Sequence, residues 1–408
     1  MLTRQLTIYV YYGIILQTGD ELHQPLTKRV RKMLDKLIKE EKKVEYLELI
    51  YDLIFVYIIG RNNSLLHHTA DGRIQPAMFV AYVLCTLAVI QIWNYTTYYI
   101  NLFGKNGLRE HIFLFTNMFL LYFIGEGTRE HWEVFHAQYH FAWALILINI
   151  ALQYIIEYHS HKDDKALLKN IRQIITTLLT EAVMVFAMIP LYKNTGTDLS
   201  YIPILFGITV TMITGRGSEN TGVDFTHLTE RAMLYVVFTF GEMVIAISGY
   251  FEGDLDMGSL YFSLMAFLIV VGLFLSYGTL YDHVIDREMQ NDGLVYMLIH
   301  ILLIFGLNNI TTSLEFMREE SIELLPKVAF LCGAFLMYYV PLFFTRRYAK
   351  RSCIPPLKFY LKIITLTAGF VIPMFVFREV MWLNILISVI YVYLNYIIIY
   401  RLGRFNRG

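Results

Sequence analysis

The sequence predicts an all-α protein, a polytopic transmembrane helical bundle of about twelve spans, and three observations carry that prediction. Of its 408 residues, 56% are hydrophobic and only 17% are charged, against about 45–50% and about 25% in soluble domains. Apolar stretches near the ~20 residues that cross a bilayer recur along almost the whole chain. Lysine and arginine collect in alternate connections, as they do in cytoplasmic loops. The mean hydropathy of +0.48 excludes a disordered chain and a coiled coil and argues against a soluble α/β enzyme. With 34 basic and 34 acidic residues the net charge is zero, so no nucleic-acid partner is expected. Cys85, Cys332 and Cys353 form no CxxC and no His-paired spacing, which excludes a disulfide framework and a thiolate zinc site.

Residues 1–43 form a basic cytoplasmic leader. From Lys28 to Lys43 its apolar positions Val30, Met33, Leu34, Leu37 and Ile38 follow a helical stripe, so the segment either lies on the membrane surface as an amphipathic helix or stays solvated. Twelve candidate spans follow, at 44–66, 75–103, 109–126, 137–158, 168–191, 200–215, 227–251, 258–284, 292–315, 326–345, 358–377 and 379–400. The span over 200–215 is short, and Arg378 and Glu379 leave almost no loop between the last two. With the N-terminus inside, 27 basic residues fall in inner segments and seven in outer ones. That bias predicts an even number of spans with both termini cytoplasmic.

An internal repeat is expected, with a first six-helix half over 44–226 and a second over 227–408 that ends in a short cytoplasmic tail. Tyr95, Thr97 and Tyr99 of the second span match Tyr277, Thr279 and Tyr281 of the eighth, six spans on. The first and seventh spans each carry an intramembrane acid, Asp52 and Glu242. Six spans per unit would make the halves parallel.

Charge at the centre of a bilayer helix costs at least ~2.5–3.5 kcal/mol per residue, so acids there need a reason. Glu45, Glu48 and Asp52 fall within about 60° of one another on one helix face, and Asp52 lies about 12 Å deep at 1.5 Å per residue. This stripe reads either as a proton or cation path or as a structural network paired with a basic residue of a neighbouring helix. In the seventh span Arg231 and Glu242 share a face but lie about 16 Å apart along it, so each needs a partner elsewhere. Glu230 or Glu45 is the expected partner of Arg231, and Glu242 is the leading functional candidate. Glu181, His300, Trp93 and Tyr98 are weaker pathway candidates, and Trp93 with its tyrosines also fits an interfacial belt. His131, His136 and His140, with Glu130 and Glu133 nearby, read either as a surface metal site or as exposed loop histidines, and the second reading, shared by His67 and His68, is the expected one, so no metal is assigned. No P-loop, HExxH or GxSxG is present, and Tyr281, Asp282 and His283 are a thin basis for catalysis, so no catalytic residue and no cofactor is assigned.

The segment Tyr46–Val56, YLELIYDLIFV, is similar to the WLELFFDLVFV-like opening of the bacterial low temperature requirement A family. His227, Glu230 and Arg231, followed by Gly241 and Glu242, resemble that family's second hallmark, an H-x-x-ER helix ending in a GE pair. Trp93 and Arg109 also fit. The resemblance covers roughly 44–400 and departs from the pattern at Tyr46, where the family has tryptophan. It implies a multi-pass protein of the bacterial cytoplasmic membrane and points to Glu48, Asp52, Glu230, Arg231, Gly241 and Glu242.

These readings predict a secondary transporter or channel-like protein that uses Glu48, Asp52 and Glu242 for proton or cation coupling. Glu45, Glu230, Arg231 and Arg109 would form structural or gating ion pairs. The expected partners are membrane lipid and a small ion or small-molecule substrate. The alternatives are a lipid-handling membrane enzyme and a structural or sensory protein without transport.

Overall fold

The structure, a computed structural model, describes residues 43–127, 132–215, 222–251, 256–317, 321–354 and 356–404. The chain divides into two units, Met1–Lys43 and Val44–Gly408, and the fold below is that of the second. The expected leader, apart from Lys43, lies outside the described residues, as does His131.

Among the described residues twelve α-helices follow one another: α1 Tyr46–Asn62, α2 Pro76–Phe103, α3 Leu108–Glu126, α4 Trp132–Ser160, α5 Lys165–Thr195, α6 Tyr201–Gly215, α7 Phe225–Ser248, α8 Met257–Thr279, α9 Leu294–Phe316, α10 Leu324–Phe344, α11 Leu357–Val376 and α12 Met381–Arg404. Nine of them are long and apolar enough to cross a membrane. The other three are α1, α3 and α6. At 17 and 15 residues, α1 and α6 reach about 25 and 22 Å at 1.5 Å per residue, short of the ~30 Å hydrocarbon core. Helix α3 carries Arg109, Glu110 and Glu126 near its ends.

Local chemistry sets the helix boundaries. Asp164 accepts the amides of Ala166 and Leu167 at 3.1 and 3.0 Å at the start of α5, and Asp224 accepts the amide of His227 at 3.2 Å at the start of α7. Such caps satisfy amides that a helix start leaves unpaired. Helix α5 stops at Gly196, whose φ of 66° suits glycine best. Between α1 and α2 a small hairpin pairs β1 Thr69–Ala70 with β2 Arg73–Ile74. Its turn residues Asp71 and Gly72 both have positive φ, 51° and 72°, as a two-residue hairpin turn of the primed kind requires.

The hydropathy is turned outward, as in lipid. Helix α3 exposes Ile112, Phe115, Phe119 and Phe123 while it buries Asn117. Helix pairings follow a pattern. In the first six helices α1 packs on α2 and α3, α2 on α6, α3 on α4, α4 on α5, and α5 on α6. In the last six, α7 packs on α8 and α9, α8 on α12, α9 on α10, α10 on α11, and α11 on α12. These six pairings recur six helices on, while α2 packs on α4 more extensively than α8 does on α10. A tyrosine also ties α4 to α2, where Tyr139 donates to the Cys85 carbonyl at 3.0 Å. In the second set Tyr338 of α10 donates to the Leu273 carbonyl of α8 at 2.9 Å. The two sets meet through α1 on α7, with α2 touching α7 and α9.

Hydrogen bonds identify the two ends of this unit. At the near end, where α1 begins, Tyr98 donates to the Asp292 carbonyl at 3.1 Å and Asn101 to the Asp224 carbonyl at 2.8 Å. At the far end Tyr57 donates to Glu126 at 3.2 Å, and His67 meets Glu315 at 3.2 Å.

Helix α9 is buried along most of its length, and at Gly306 the backbone of α10 approaches closely. A Cβ there would lie 2.7 Å from the Tyr338 amide nitrogen and 2.8 Å from the Met337 carbonyl carbon. Both are backbone atoms that cannot swing aside. Gly306→Val is therefore expected to destabilise the protein by roughly 1–3 kcal/mol or more, read as a lower melting temperature in detergent. Gly333→Ala on α10, where a Cβ meets nothing within 4 Å, is the matched control and should melt with the wild type.

Candidate functional site

Helix geometry places two acids on one face of α1 and two basic groups on one face of α7. Glu48 and Asp52 are one turn apart, as are His227 and Arg231, because residues four apart stack on a helix. Where α1 meets α7 these faces oppose each other. The Arg231 guanidinium grips Asp52 with two bonds: Nε donates to Oδ2 at 3.1 Å and Nη2 to Oδ1. Its Nη1 donates to Glu48 Oε2. Trp93 Nε1 on α2 donates to Asp52 Oδ1 at 2.8 Å, and its ring centre lies 5.9 Å from the Arg231 Cζ and 4.5 Å from the Tyr235 ring. His227 Nε2 faces Glu48 Oε2 at 3.5 Å. Asp52, His227 and Arg231 are fully buried.

A layer of neutral polar groups surrounds this centre. Tyr51 bonds Thr96 at 3.0 Å, Asn117 donates to the Tyr51 oxygen at 3.4 Å, and Asn149 donates to Asn117 at 2.8 Å. The chain links α1, α2, α3 and α4. On the near side Asn101 contacts His227 Nδ1 at 3.1 Å and accepts the Asp224 amide at 3.0 Å. Arg231 therefore pairs with Glu48 and Asp52, which corrects the expected partners Glu45 and Glu230. Glu45 stands at the start of α1, where its amide donates to Glu48 at 3.4 Å. Glu230 is half-buried. Trp93 is fully buried and belongs to this centre, which corrects the interfacial-belt reading.

The remaining candidates stand apart from it. Arg109 pairs with Glu157 of α4, which also accepts Tyr99 at 3.4 Å and faces His161 at 3.5 Å. Glu242 is half-buried near the far end. A Cβ on Gly60 would come 3.1 Å from its Oε2, so the missing side chain lets the carboxylate approach α1. Gly60 lies eight residues beyond Asp52, about 12 Å along the helix, so Glu242 and Asp52 do not share one level. His300 is buried, with Nδ1 2.9 Å from the Tyr296 carbonyl and Nε2 3.0 Å from the Tyr277 hydroxyl, as in a packed core.

Glu181 of α5 has different surroundings. It is fully buried. Gln91 donates to the Tyr95 oxygen at 3.0 Å, and Tyr95 donates to Glu181 Oε2 at 2.7 Å. Glu181 Oε1 has no hydrogen-bond partner, and among the described residues no basic side chain is paired with this acid. Gly207 of α6 makes the room: a Cβ there would overlap Gln91, Tyr95 and Glu181. Tyr95 also lines a cavity of about 120 Å³ between α2, α4, α5 and α6. Tyr98, Thr177, Thr211 and Asp292 line it too, so it extends from the Glu181 cluster toward the near end.

His136 and His140 are 1% and 0% exposed, which corrects their reading as exposed loop histidines. His136 stacks on Tyr192, ring centres 3.9 Å apart, and Trp132 packs edge-on against it at 5.4 Å. Asp198, from the loop between α5 and α6, lies 3.7 Å from His136 Nε2. Burial works to raise the Asp198 carboxyl, but the His136 ring and the Ser200 hydroxyl and amide outweigh it and hold it at about 2.

Sequence reasoning passed over Glu157, Gln91 and Asp198. Glu157 and Asp198 sit where a charge looks solvated, at a helix end and in a loop, and Gln91 looks like ordinary helix glue. The signal for Glu157 is His161 one turn on, which makes a polar face at that end of α4.

A family model described as Bacterial low temperature requirement A protein (LtrA) matches residues 43–394. No curated protein and no solved structure matches significantly.

Arg231→Gln would leave Asp52 and Glu48 buried without their cation, at a cost of about 3–5 kcal/mol. Thermal unfolding of the detergent-purified protein should show a large fall in melting temperature. Adding Asp52→Asn should restore a good part of it. Equal melting of Arg231→Gln and wild type would contradict the ion-pair reading.

Proposed function

Because the chain belongs to the bacterial low temperature requirement A family and is an integral membrane protein, we propose that it is a secondary transporter or channel-like protein whose movement of a small ion or solute is coupled to protons or cations. Glu181 is the group that takes up and releases the proton. One observation carries this reading: a fully buried carboxyl with one unpaired oxygen, held by a tyrosine that lines a cavity. Such a carboxyl exchanges a proton without breaking a salt bridge. Asp52 and Glu48 cannot do so without unpairing Arg231, so they act as the fixed charged pin between α1 and α7.

The cavity supplies the route on the near side, where Tyr98 and Asp292 form its lining. On the charge bias this side is cytoplasmic. Glu242, half-buried against Gly60, supplies a second carboxyl toward the outer side. Helix pairings that recur six helices on support two parallel units, with alternating exposure arising from movement of one against the other. In this reading the protein resides in the bacterial cell membrane, with both termini cytoplasmic, and carries no catalytic group.

The test is proton and monovalent-cation flux in liposomes containing the purified protein. Glu181→Gln keeps the shape and the Tyr95 contact but removes the exchangeable proton. It is expected to melt like wild type and to lose coupled flux by at least ~10²-fold. Wild-type liposomes without flux under any imposed gradient would overturn the transport reading. Full flux in Glu181→Gln would move the proton role to another acid.

A further inference from the structure

We propose that His136 and His140 of α4, together with Asp198 of the α5–α6 loop, bind one divalent transition-metal ion of the zinc type. Nitrogen or oxygen atoms of the three side chains lie within 4.8 Å of one another. Both histidines are buried, and Asp198 is nearly so, its side chain 15% exposed.

The proton inventory of the cluster points to a missing cation. His140 Nδ1 lies 2.7 Å from the His136 carbonyl oxygen, so that nitrogen donates its proton, and in the neutral ring that a metal requires Nε2 keeps a lone pair. A ring fixed in this way through its other nitrogen is the usual state of a metal-bound histidine. Ser200 Oγ stands 2.6 Å from His140 Nε2 but donates its one proton to Asp198 Oδ1, so with a neutral His140 ring a lone pair faces a lone pair. His136 Nε2 and Asp198 Oδ2 have no hydrogen-bond partner at all. Buried polar atoms are normally satisfied, and one cation among these atoms would satisfy all of them.

The chemistry of the donors selects the ion. Two imidazoles and one carboxylate suit zinc, with bonds of about 2.0–2.2 Å and donors ~3.3 Å apart in a tetrahedron. His136 Nε2 and Asp198 Oδ1 are already 3.7 Å apart, so closing on the ion takes small side-chain movements. The Ser200 hydroxyl or a water completes the fourth position. The bound ion would fasten the loop over 196–200 to the start of α4 at the far end. Nothing in this assignment depends on the transport reading.

The experiment uses full-length protein without a polyhistidine tag, exchanged into chelator-treated buffer with added zinc chloride. Elemental analysis is expected to give one zinc per chain, and the zinc-loaded protein should melt higher than the chelator-treated one. Asp198→Asn should weaken zinc binding roughly tenfold or more, and His136→Ala with His140→Ala should abolish it. In case the double variant fails to fold, wild-type protein loaded with cobalt(II) serves as a second readout. It should show the visible absorption of a four-coordinate site, lost when zinc is added. Folded wild type that binds neither ion overturns the proposal, as does undiminished zinc binding in a folded double variant.

Discussion

A guanidinium cannot give up its proton, so burying Arg231 completely obliges the surrounding protein to supply negative charge. That demand organises the centre of the unit. Helix α1 must present Asp52 and Glu48 one turn apart, α7 must face it at the same depth, and α2 must bring Trp93 to the second lone pair of Asp52 Oδ1. The polar layer of Tyr51, Thr96, Asn117 and Asn149 extends the same constraint outward through four helices. In a lipid-facing protein, packing between apolar helices is weakly directional. The ion pair and its hydrogen-bonded surroundings supply the direction.

Four of the buried acids then separate into two kinds, Glu110 being held apart by the amides of Lys105 and Asn106. Asp52, Glu48 and Glu157 each have a cation in contact, which ties helices together. Glu181 has a tyrosine instead, with glycine opposite to leave it space. The first kind resists change and suits a scaffold. The second can change its proton without disturbing any ion pair, which suits a moving part.

Much of this was legible in the chain. Hydropathy placed the helices, although α11 and α12 part at 377–380, where the sequence leaves only Arg378 and Glu379 as a mark. Periodicity put Glu48 and Asp52 on one face, and depth arithmetic showed that Arg231 and Glu242 could not meet. What periodicity cannot supply is which helix lies opposite. Arg231 was therefore assigned Glu230, its neighbour in sequence, or Glu45 at the start of α1, rather than Glu48 and Asp52, which face it. Trp93 looked interfacial because it lies late in an apolar helix, yet α1 and α7 cover that position. His136 and His140 looked exposed because they open a helix, and only the fold folds the 196–200 loop and the Tyr192 ring over them.

The pairing of Asp52 with Arg231 spans 179 residues of chain, and translation proceeds in one direction at ~5–20 residues per second. The acids of α1 thus leave the ribosome about 10–35 s before the arginine that neutralises them. Through that interval α1, the shorter partner with two carboxyl groups on one face, has no counter-charge on that face, its one arginine, Arg61, lying nine residues beyond Asp52 and half a turn round. Its ion pair cannot form until more than half of the chain has been made, so the order of assembly differs from the order of the sequence.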